Sequence, residues 1–437
     1  MTKCTPNKLK FPALKRRKID VEFSGGDITS DGGALLLRQI DKRLRLTKDI
    51  ASAIPDTRNQ SYVDHSQISL LRQRIYGLCL GYEDLNDHTD LRHDPAIQTA
   101  VEKETVLGSQ STLCRLENRM DNQVAFELHK VMVEKFISSF KSAPKELMLD
   151  FDATDDAVHG NQVGKFFHGY YDHYCFMPLY VFCKDQLLVS YLRPSKIDGA
   201  KHAWAILSLL VKRLRREWPQ VKVIFRGDSG FCRHKMLEWC DRNNIGYVIG
   251  LPKNSRLEKE IKPEMKRVAK RHEQTGKAER TFRELQYAAK TWKRKRRVIA
   301  KAEHLFKGAN PRFIVTNLKI SGRRLYEEIY CARGDMENRI KEQQLGMFAD
   351  RTSCHHWWPN QFRLLLSSMA YILVSAIRRQ ALKGTEFANA QVTTIRLKLL
   401  KIGGVIMRNT RRIRFLLSSS YPYKSTFELA VARLTPE

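Results

Sequence analysis

Glu146-Leu147-Met148-Leu149-Asp150-Phe151-Asp152 is the stretch on which the reading of the chain turns. Side chains alternate between the two faces of a strand, so Leu147, Leu149 and Phe151 share one face while Asp150 and Asp152 share the other. An apolar face packs on a core. Two carboxylates together at the strand's end point to a site instead, so further acids are to be sought at strand or helix ends downstream.

Met177 to Cys183 and Gln186 to Leu192 read as a hairpin around Lys184-Asp185, followed by a helix from Ala200 to Trp218 with a basic outer face, stopped by Pro219. Val221 to Phe225 is a buried strand that runs into Arg226-Gly227-Asp228-Ser229-Gly230-Phe231. Asp228 thus falls just past the carboxyl end of a strand, where open α/β sheets place their chemistry. A helix from Lys235 to Asn244 and a strand from Tyr247 to Leu251 follow. Further on, Tyr330-Cys331-Ala332-Arg333-Gly334-Asp335-Met336-Glu337-Asn338-Arg339-Ile340-Lys341-Glu342 reads as a strand end, a Gly-Asp turn and a helix. Asp335 is placed to cap that helix, and Glu337 gains from its dipole in the first turn. Arg333, Arg339 and Lys341 surround Glu337 with positive charge. Taken alone, the stretch reads equally as a surface helix with Glu-to-Lys spacing of four. With Asp152 and Asp228 it completes an order of elements that is that of an RNase H-like core. Acids that hold divalent metal among cations suit phosphoryl transfer on a polyanion.

The fold class expected is α/β, an RNase H-like catalytic core interrupted by a β-rich insertion and preceded by an α-helical DNA-binding region. The boundaries are 1–143 for the helical region, 144–252 and 320–383 for the two parts of the core, 253–319 for the basic insertion and 384–437 for a basic C-terminal region. In the first of these, Gly25 to Gly33 is a loop of turn formers that hands over to a helix. Gly81 to Asp90 is acidic but lacks the glycine and final glutamate of a calcium loop. Gly108 to Asn118, with Arg115, reads either as a recognition helix of the helix-turn-helix kind or as an ordinary serine-capped helix. The insertion has strand-like runs at Arg296 to Glu303 and Arg312 to Thr316, and it is longer than the fold requires. Gln361 to Leu382 reads as an apolar core helix. The tail from Thr394 carries Arg396, Lys398, Lys401, Arg408, Arg411, Arg412 and Arg414, as phosphate contacts or as a solvated basic face.

A chain of 437 residues that is 42% hydrophobic is long enough for two or three folded domains. Lys plus Arg number 77 against 47 Asp plus Glu, a net +30 spread along the chain, which makes nucleic acid the natural partner. Nine cysteines without a C-x-x-C pair suggest reduced thiols and a cytoplasmic setting. The basic amino terminus leads into no long apolar run, so no signal peptide is read. The most apolar stretch, Leu364 to Ile377, is about fourteen residues, too short to span a bilayer, and no membrane is expected.

With the three acids placed, the sequence resembles the DDE transposases of bacterial insertion sequences, of the group 1 type whose RNase H-like core carries a β-strand insertion. Asp152-Ala153-Thr154 resembles the first-acid motif D-x-T, and His159-Gly160-Asn161-Gln162 the family's H-G-x-Q. Arg226 to Phe231 resembles the second-acid motif, and Tyr330, Arg333 and Glu337 satisfy the signature Y-x2-R-x3-E. That signature continues with a lysine where this chain has Gln344. Lys341, one helical turn from Glu337, is the residue left to take over a phosphate contact. The resemblance implies Asp152, Asp228 and Glu337 as catalytic and metal-binding residues for Mg2+, with Mn2+ as substitute. Asp150 competes with Asp152 for the first acid, and the D-x-T context favours Asp152. It also implies double-stranded DNA as partner, both terminal inverted repeats and target, a homodimer on DNA, and a bacterial, nucleoid-associated location. Tyr330, Arg333, Lys341, Arg115, Trp292, Arg296 and Arg297 are the expected DNA contacts. Trp292 either holds a base flipped from the duplex, as aromatics of such insertions do in the family, or packs beside Val298 and Phe313. A nuclease without strand transfer and a non-catalytic element product that only binds DNA are the competing functions.

Overall fold

The computed structural model describes residues 8–435. The chain divides into two compact units, each assembled from separated stretches of sequence. One comprises 1–120, 346–348 and 369–437, the other 121–345 and 349–368.

The first unit opens with the exposed hairpin β1 (Leu9–Leu14) and β2 (Arg17–Val21), then the short strand β3 (Ile28–Thr29). Helices follow at Ala34–Leu44, Leu46–Ala53, Gln67–Leu80, Pro95–Val101 and Gln110–Glu117. Their starts are chemically marked: Ser66, Asp94 and Ser109 each accept a backbone hydrogen bond from the first turn.

The second unit is built on a nine-stranded mixed sheet. Its strands are β4 (Glu146–Ala153), β8 (Leu179–Cys183), β9 (Gln186–Tyr191), β10 (Lys222–Gly227), β11 (Gly246–Leu251), β12 (Glu279–Tyr287), β13 (Arg296–Leu305), β14 (Gly308–Ala309) and β15 (Arg312–Thr316). The order is β12-β13-β15-β11-β10-β4-β8-β9, with β14 on β13. β10 runs parallel to both β4 and β11, whereas β8 is antiparallel to β4 and turns into β9 through Lys184, whose φ is 58°. A small separate sheet, β5 (Asp156–Ala157), β6 (Phe166–His168) and β7 (His173–Phe176), interrupts the chain between β4 and β8.

The alternation in β4 has the expected consequence. Leu147, Leu149 and Phe151 enter one core with Val181, Phe225 and Phe231, the three phenylalanines meeting edge to face, while Met148 lies on the opposite side with Ile224 and Val248. The stretch after β11 adds strands to the same sheet, because β15 pairs with β11 and β13 with β15. It also carries a helix of 21 residues, Ser255–Thr275, which strand-like patterning alone did not predict. Asn254 caps that helix, and Leu257, Ile261 and Val268 bury against the face of the sheet that holds Val298, Ala300 and Ala302.

From Gly322 to Gly346 the backbone stays helical, passing through a π-helical segment (Leu325–Tyr330), a 3-10 turn (Cys331–Arg333), an α-helix (Gly334–Lys341) and a second π-helical segment (Glu342–Gly346). The apolar run Leu364 to Ile377 falls in the helix Trp357–Gln380 and is buried throughout. The first unit closes with the hairpin β16 (Gly404–Arg408) and β17 (Ile413–Leu417) and the helix Lys424–Leu434. β16 pairs with β3, and Gly32 and Gly33 donate to Ile402 O and Leu400 O. A Cβ on Gly33 would stand 2.0 Å from Leu399 O, so this close approach requires glycine. Arg396 is turned inward in this unit, donating to the carbonyls of Cys79, Leu78 and Gly346, so this member of the basic tail is neither a solvated charge nor a phosphate contact. Among the described residues no helix is long and apolar enough to cross a membrane.

Candidate active site

The parallel pairing of β4 with β10 brings two of the predicted acids together. Its register ends with Gly227 opposite Phe151, so the next positions, Asp228 and Asp152, stand at the same carboxyl edge of the sheet. The Asp228 carboxylate accepts from Gly230 N at 2.8 Å and caps the short turn Ser229–Phe231. Gly250, on β11, makes room for that turn: a Cβ there would lie 2.7 Å from Ser229 N and 2.6 Å from Tyr330 Oη.

The third acid arrives on the helical run. Tyr330, Arg333 and Glu337 are spaced three and four residues apart, which in a helix sets them on one face. Arg333 donates through Nη1 to Asp152 Oδ2 at 3.1 Å and through Nη2 to Glu337 Oε1 at 2.6 Å. Burial pushes the Asp152 carboxyl up to about 6; Arg333 opposes the shift, and the charges of Asp228 and Glu337 add to it. The charges of Asp228 and Glu337 thus both reach Asp152, which Arg333 contacts. Burial also raises the Tyr330 hydroxyl, with Arg333 opposing and Asp228 adding.

The predicted Gly-Asp turn is absent. Gly334 is helical (φ −56°, ψ −26°), Tyr330 to Ala332 form no strand end, and Asp335 does not cap the helix, whose N-cap position is Arg333 with no side-chain bond. The reason lies upstream. Leu325 and Tyr326 bury against Ile224, Val248, Ile299 and Ile314, committing the run to helix before Gly334 is reached.

Asp150 has a different environment from Asp152. It is 2% exposed, and Arg226, directly opposite it in the β4–β10 register, grips both its carboxylate oxygens. Arg226 also donates to Ile329 O and Ala332 O, so it ties the strand to the helical run that bears Arg333 and Glu337. Lys341 is exposed near the end of that run's α-helical part, and Gln344, at the family's lysine position, donates to Asp155 O at 2.9 Å.

The expected DNA contacts outside the acids are spread more widely. Trp292 lies between β12 and β13, partly buried against the sheet's core, its ring edge-on to Tyr287 at 5.7 Å and under the guanidinium of Arg296 at 5.9 Å. Arg296 is buried, paired with Asp241 and donating to Tyr247 Oη at 2.7 Å. Arg297 pairs with Glu284 and donates to Ile320 O at 2.7 Å. Arg115 belongs to the other unit, exposed on the helix Gln110–Glu117. Sequence reasoning named Arg226 and Gln344 without the contacts they make here, and passed over Gly250. For Arg226 the only sequence signal was a charged residue directly after an apolar strand; its partner Asp150 follows from the strand register.

Asp152, Asp228 and Glu337 each offer carboxylate oxygens, the hard donors that Mg2+ prefers. The place between Asp152 and Glu337 is already held by a cation, the Arg333 guanidinium, so the donor chemistry fits a divalent metal. Among the described residues no three His, Cys, Asp or Glu side chains are drawn together closely enough to enclose one.

The family model described as transposase DDE domain group 1 matches residues 11–437. Among solved structures, the chain is similar to a piggyBac transposase synaptic complex with hairpin DNA, at 11% identity and a TM-score of 0.40, covering 85% of this chain and 80% of that one. No curated protein sequence matches.

Proposed function

The chain belongs to the group 1 DDE transposase family, and from that premise we propose that it binds the ends of an insertion sequence, cuts DNA there and joins the freed 3′-hydroxyls to target DNA. In this reading β9-β8-β4-β10-β11 is an RNase H-like core in two parts, 144–252 and 320–383. Residues 253–319 are its insertion, and 1–143 and 384–437 are regions that grip DNA. Its setting is the bacterial nucleoid.

Asp152, Asp228 and Glu337 would hold two Mg2+ ions, or Mn2+ in their place. When bound, the metals supply activation of a water or 3′-hydroxyl and stabilisation of the leaving oxygen. The chain's own residues arrange the rest. Asp150, held by Arg226, keeps β4 and the Glu337 helix in register and is not a ligand. Gly250 lets Tyr330 and the Asp228 turn approach each other. Arg333, between two acids, has its charge where a scissile phosphate must come, and Lys341 and Tyr330 flank it on the same helical run. Arg296 and Arg297, engaged within the protein, position the loop of Trp292, and Arg115 contacts DNA from the other unit. Cutting two element ends in step needs two active sites, hence a homodimer bridged by DNA.

The observation that carries this reading is the bridge of Arg333 between Asp152 and Glu337 beside Asp228. The test is incubation of the protein with Mg2+, a target plasmid and a donor bearing the inverted repeats that flank its gene. Joined products are expected. Cut products alone would make it a nuclease, and a shifted but intact donor a DNA-binding protein without catalysis.

A further inference from the structure

The small sheet between β4 and β8 has no role in the site as described, and its exposed surface is aromatic. β6 and β7 form a hairpin whose turn, Gly169-Tyr170-Tyr171-Asp172, holds Asp172 at φ 58°. Tyr170 at the tip is 85% exposed, and Phe167 and Tyr174, opposite each other in register and meeting edge to face at 5.7 Å, are 53% and 50% exposed. Burying such rings in a core was open to the sequence, and the fold leaves them in water. Ammonium groups accompany them: Lys165 Nζ lies 5.0 Å from the Tyr174 ring centre and Lys196 Nζ 5.4 Å from that of Phe166.

The hairpin is also tied to the acids. Its base strand β5 begins four residues after Asp152 and pairs with β7 through Asp156 and Phe176. Asp155, between them, lies 2.9 Å from His173 Nε2 of the hairpin, and its backbone oxygen accepts from Gln344 Nε2 at 2.9 Å from the helical run that bears Glu337. Tyr171 packs between His168 and His173, with ring centres 4.9 and 6.1 Å away, and lies within electrostatic reach of Asp155 and Asp152. The H-G-N-Q loop supports the same element, for Lys165 donates to Gly160 O and Gln162 to Thr352 O.

We propose that this hairpin is a stacking platform for unpaired DNA next to the scissile phosphate, with Tyr170 and the Phe167–Tyr174 pair taking bases and Lys165 and Lys196 taking the backbone. The proposal rests on the DNA-transposase reading. Exposed rings interleaved with cations are the chemistry of single-strand binding, in which rings take any base and ammonium groups follow the phosphates. A second copy of this chain is the competing occupant. It would not need the lysines over the rings, nor a hairpin rooted beside Asp152.

The experiment uses the full chain with Ca2+ and two DNA probes, a forked duplex with 5-iodouracil in its unpaired arms and a fully paired duplex of the same length. Wild type is expected to prefer the fork and, on irradiation, to crosslink through the peptide that contains Phe167, Tyr170 and Tyr174. Tyr170→Ala is expected to lower the ratio of fork to duplex affinity by roughly fivefold or more, and Tyr170→Phe to restore it, because the ring and not the hydroxyl stacks. An unchanged ratio in Tyr170→Ala with crosslinks elsewhere would overturn the proposal. So would an unchanged ratio together with altered sedimentation of the DNA-free protein, which would assign the surface to a second copy. Parallel cleavage assays in Mg2+ separate the two readings. If wild type cuts DNA and Asp228→Ala does not, failure of the hairpin test falls on the hairpin alone; if wild type neither binds nor cuts DNA, both fall.

Discussion

Asp150 and Arg226 stand opposite one another on adjacent parallel strands and close as a two-armed ion pair, the second arm 2.7 Å long, beneath the carbonyls of Ile329 and Ala332. The pair gives two neighbouring carboxylates different surroundings. Asp150 is committed to Arg226, and Asp152, two residues on and facing the same way, is the acid proposed for chemistry.

Asp150→Ala is therefore expected to destabilise the protein by about 3–5 kcal/mol, since it strands a buried guanidinium. Asp152→Ala should unfold close to wild type and abolish DNA cleavage while DNA is still bound in Ca2+. Urea unfolding and nicking assays on both variants decide the matter. A stable but inactive Asp150→Ala beside an active Asp152→Ala would exchange their roles.

Arg333→Gln takes the cation from between Asp152 and Glu337. Calorimetry without DNA should then find Ca2+ bound more tightly, by about tenfold if roughly 1.4 kcal/mol of charge repulsion is removed. Cleavage in Mg2+ should fall even so, because the phosphate loses its partner, and chelation by EDTA should stop the wild-type reaction altogether. Unaltered Ca2+ affinity would mean that the guanidinium does not compete for the metal position.

Trp292 is partly buried, edge-on to Tyr287. Trp292→Ala should leave first-strand nicking nearly intact and slow the step after it, and 2-aminopurine at the flipped position should brighten with wild type alone. One stacked base is worth about 1–3 kcal/mol. A variant that melts at lower temperature and nicks as poorly as it completes the reaction would make this tryptophan a core residue.

Asp156 supplies a pH signature independent of DNA. Burial, opposed by Thr352 and assisted by the charges of Asp350 and Asp155, holds its carboxyl well above the ordinary 3.8. The folded state thus keeps a proton that the unfolded chain releases above that value, so wild-type stability falls as pH rises through and beyond it. Asp156→Asn removes the loss. Its unfolding free energy should match wild type near pH 3 and exceed it increasingly as pH rises above that, by up to about 1.4 kcal/mol per pH unit, read from urea unfolding at each pH. Parallel curves for the two proteins would show that Asp156 is ionised in the fold.

How far the sequence could be read depended on whether the deciding force was local. The alternation of Leu147, Leu149 and Phe151 and the position of Asp228 after an apolar strand follow from chemistry within a few residues, and the structure has β4 and β10 where that chemistry puts them. The Gly334-Asp335 turn failed because long-range burial of Leu325 and Tyr326 overrides local turn propensity. Even so, the spacing of Tyr330, Arg333 and Glu337 already described one helical face. The helix Ser255–Thr275 went unread although Asn254 marks its start, its charged outer positions masking the apolar stripe of Leu257, Ile261 and Val268. The β6–β7 hairpin went unread for the opposite reason, since its aromatics face outward and so obey no inside-outside pattern. That Arg226 answers Asp150 was beyond reach until the strand register was known.

The seam between Gly32-Gly33 and residues 399–402 has a consequence for how the protein is made. The two partners lie far apart in the chain, and at about 5–20 residues per second a ribosome needs on the order of twenty to seventy seconds to travel from one to the other. Throughout that interval the start of the helix Ala34–Leu44 waits for the segment that must cover it. The unit bearing Asp152, Asp228 and Glu337 ends at Ser368 and is fully synthesised sooner. On every nascent chain, then, the unit that bears the three acids is made in full while the other still waits for residues 399–402, and synthesis that stopped between Ser368 and Leu399 would release the first with the second left uncovered.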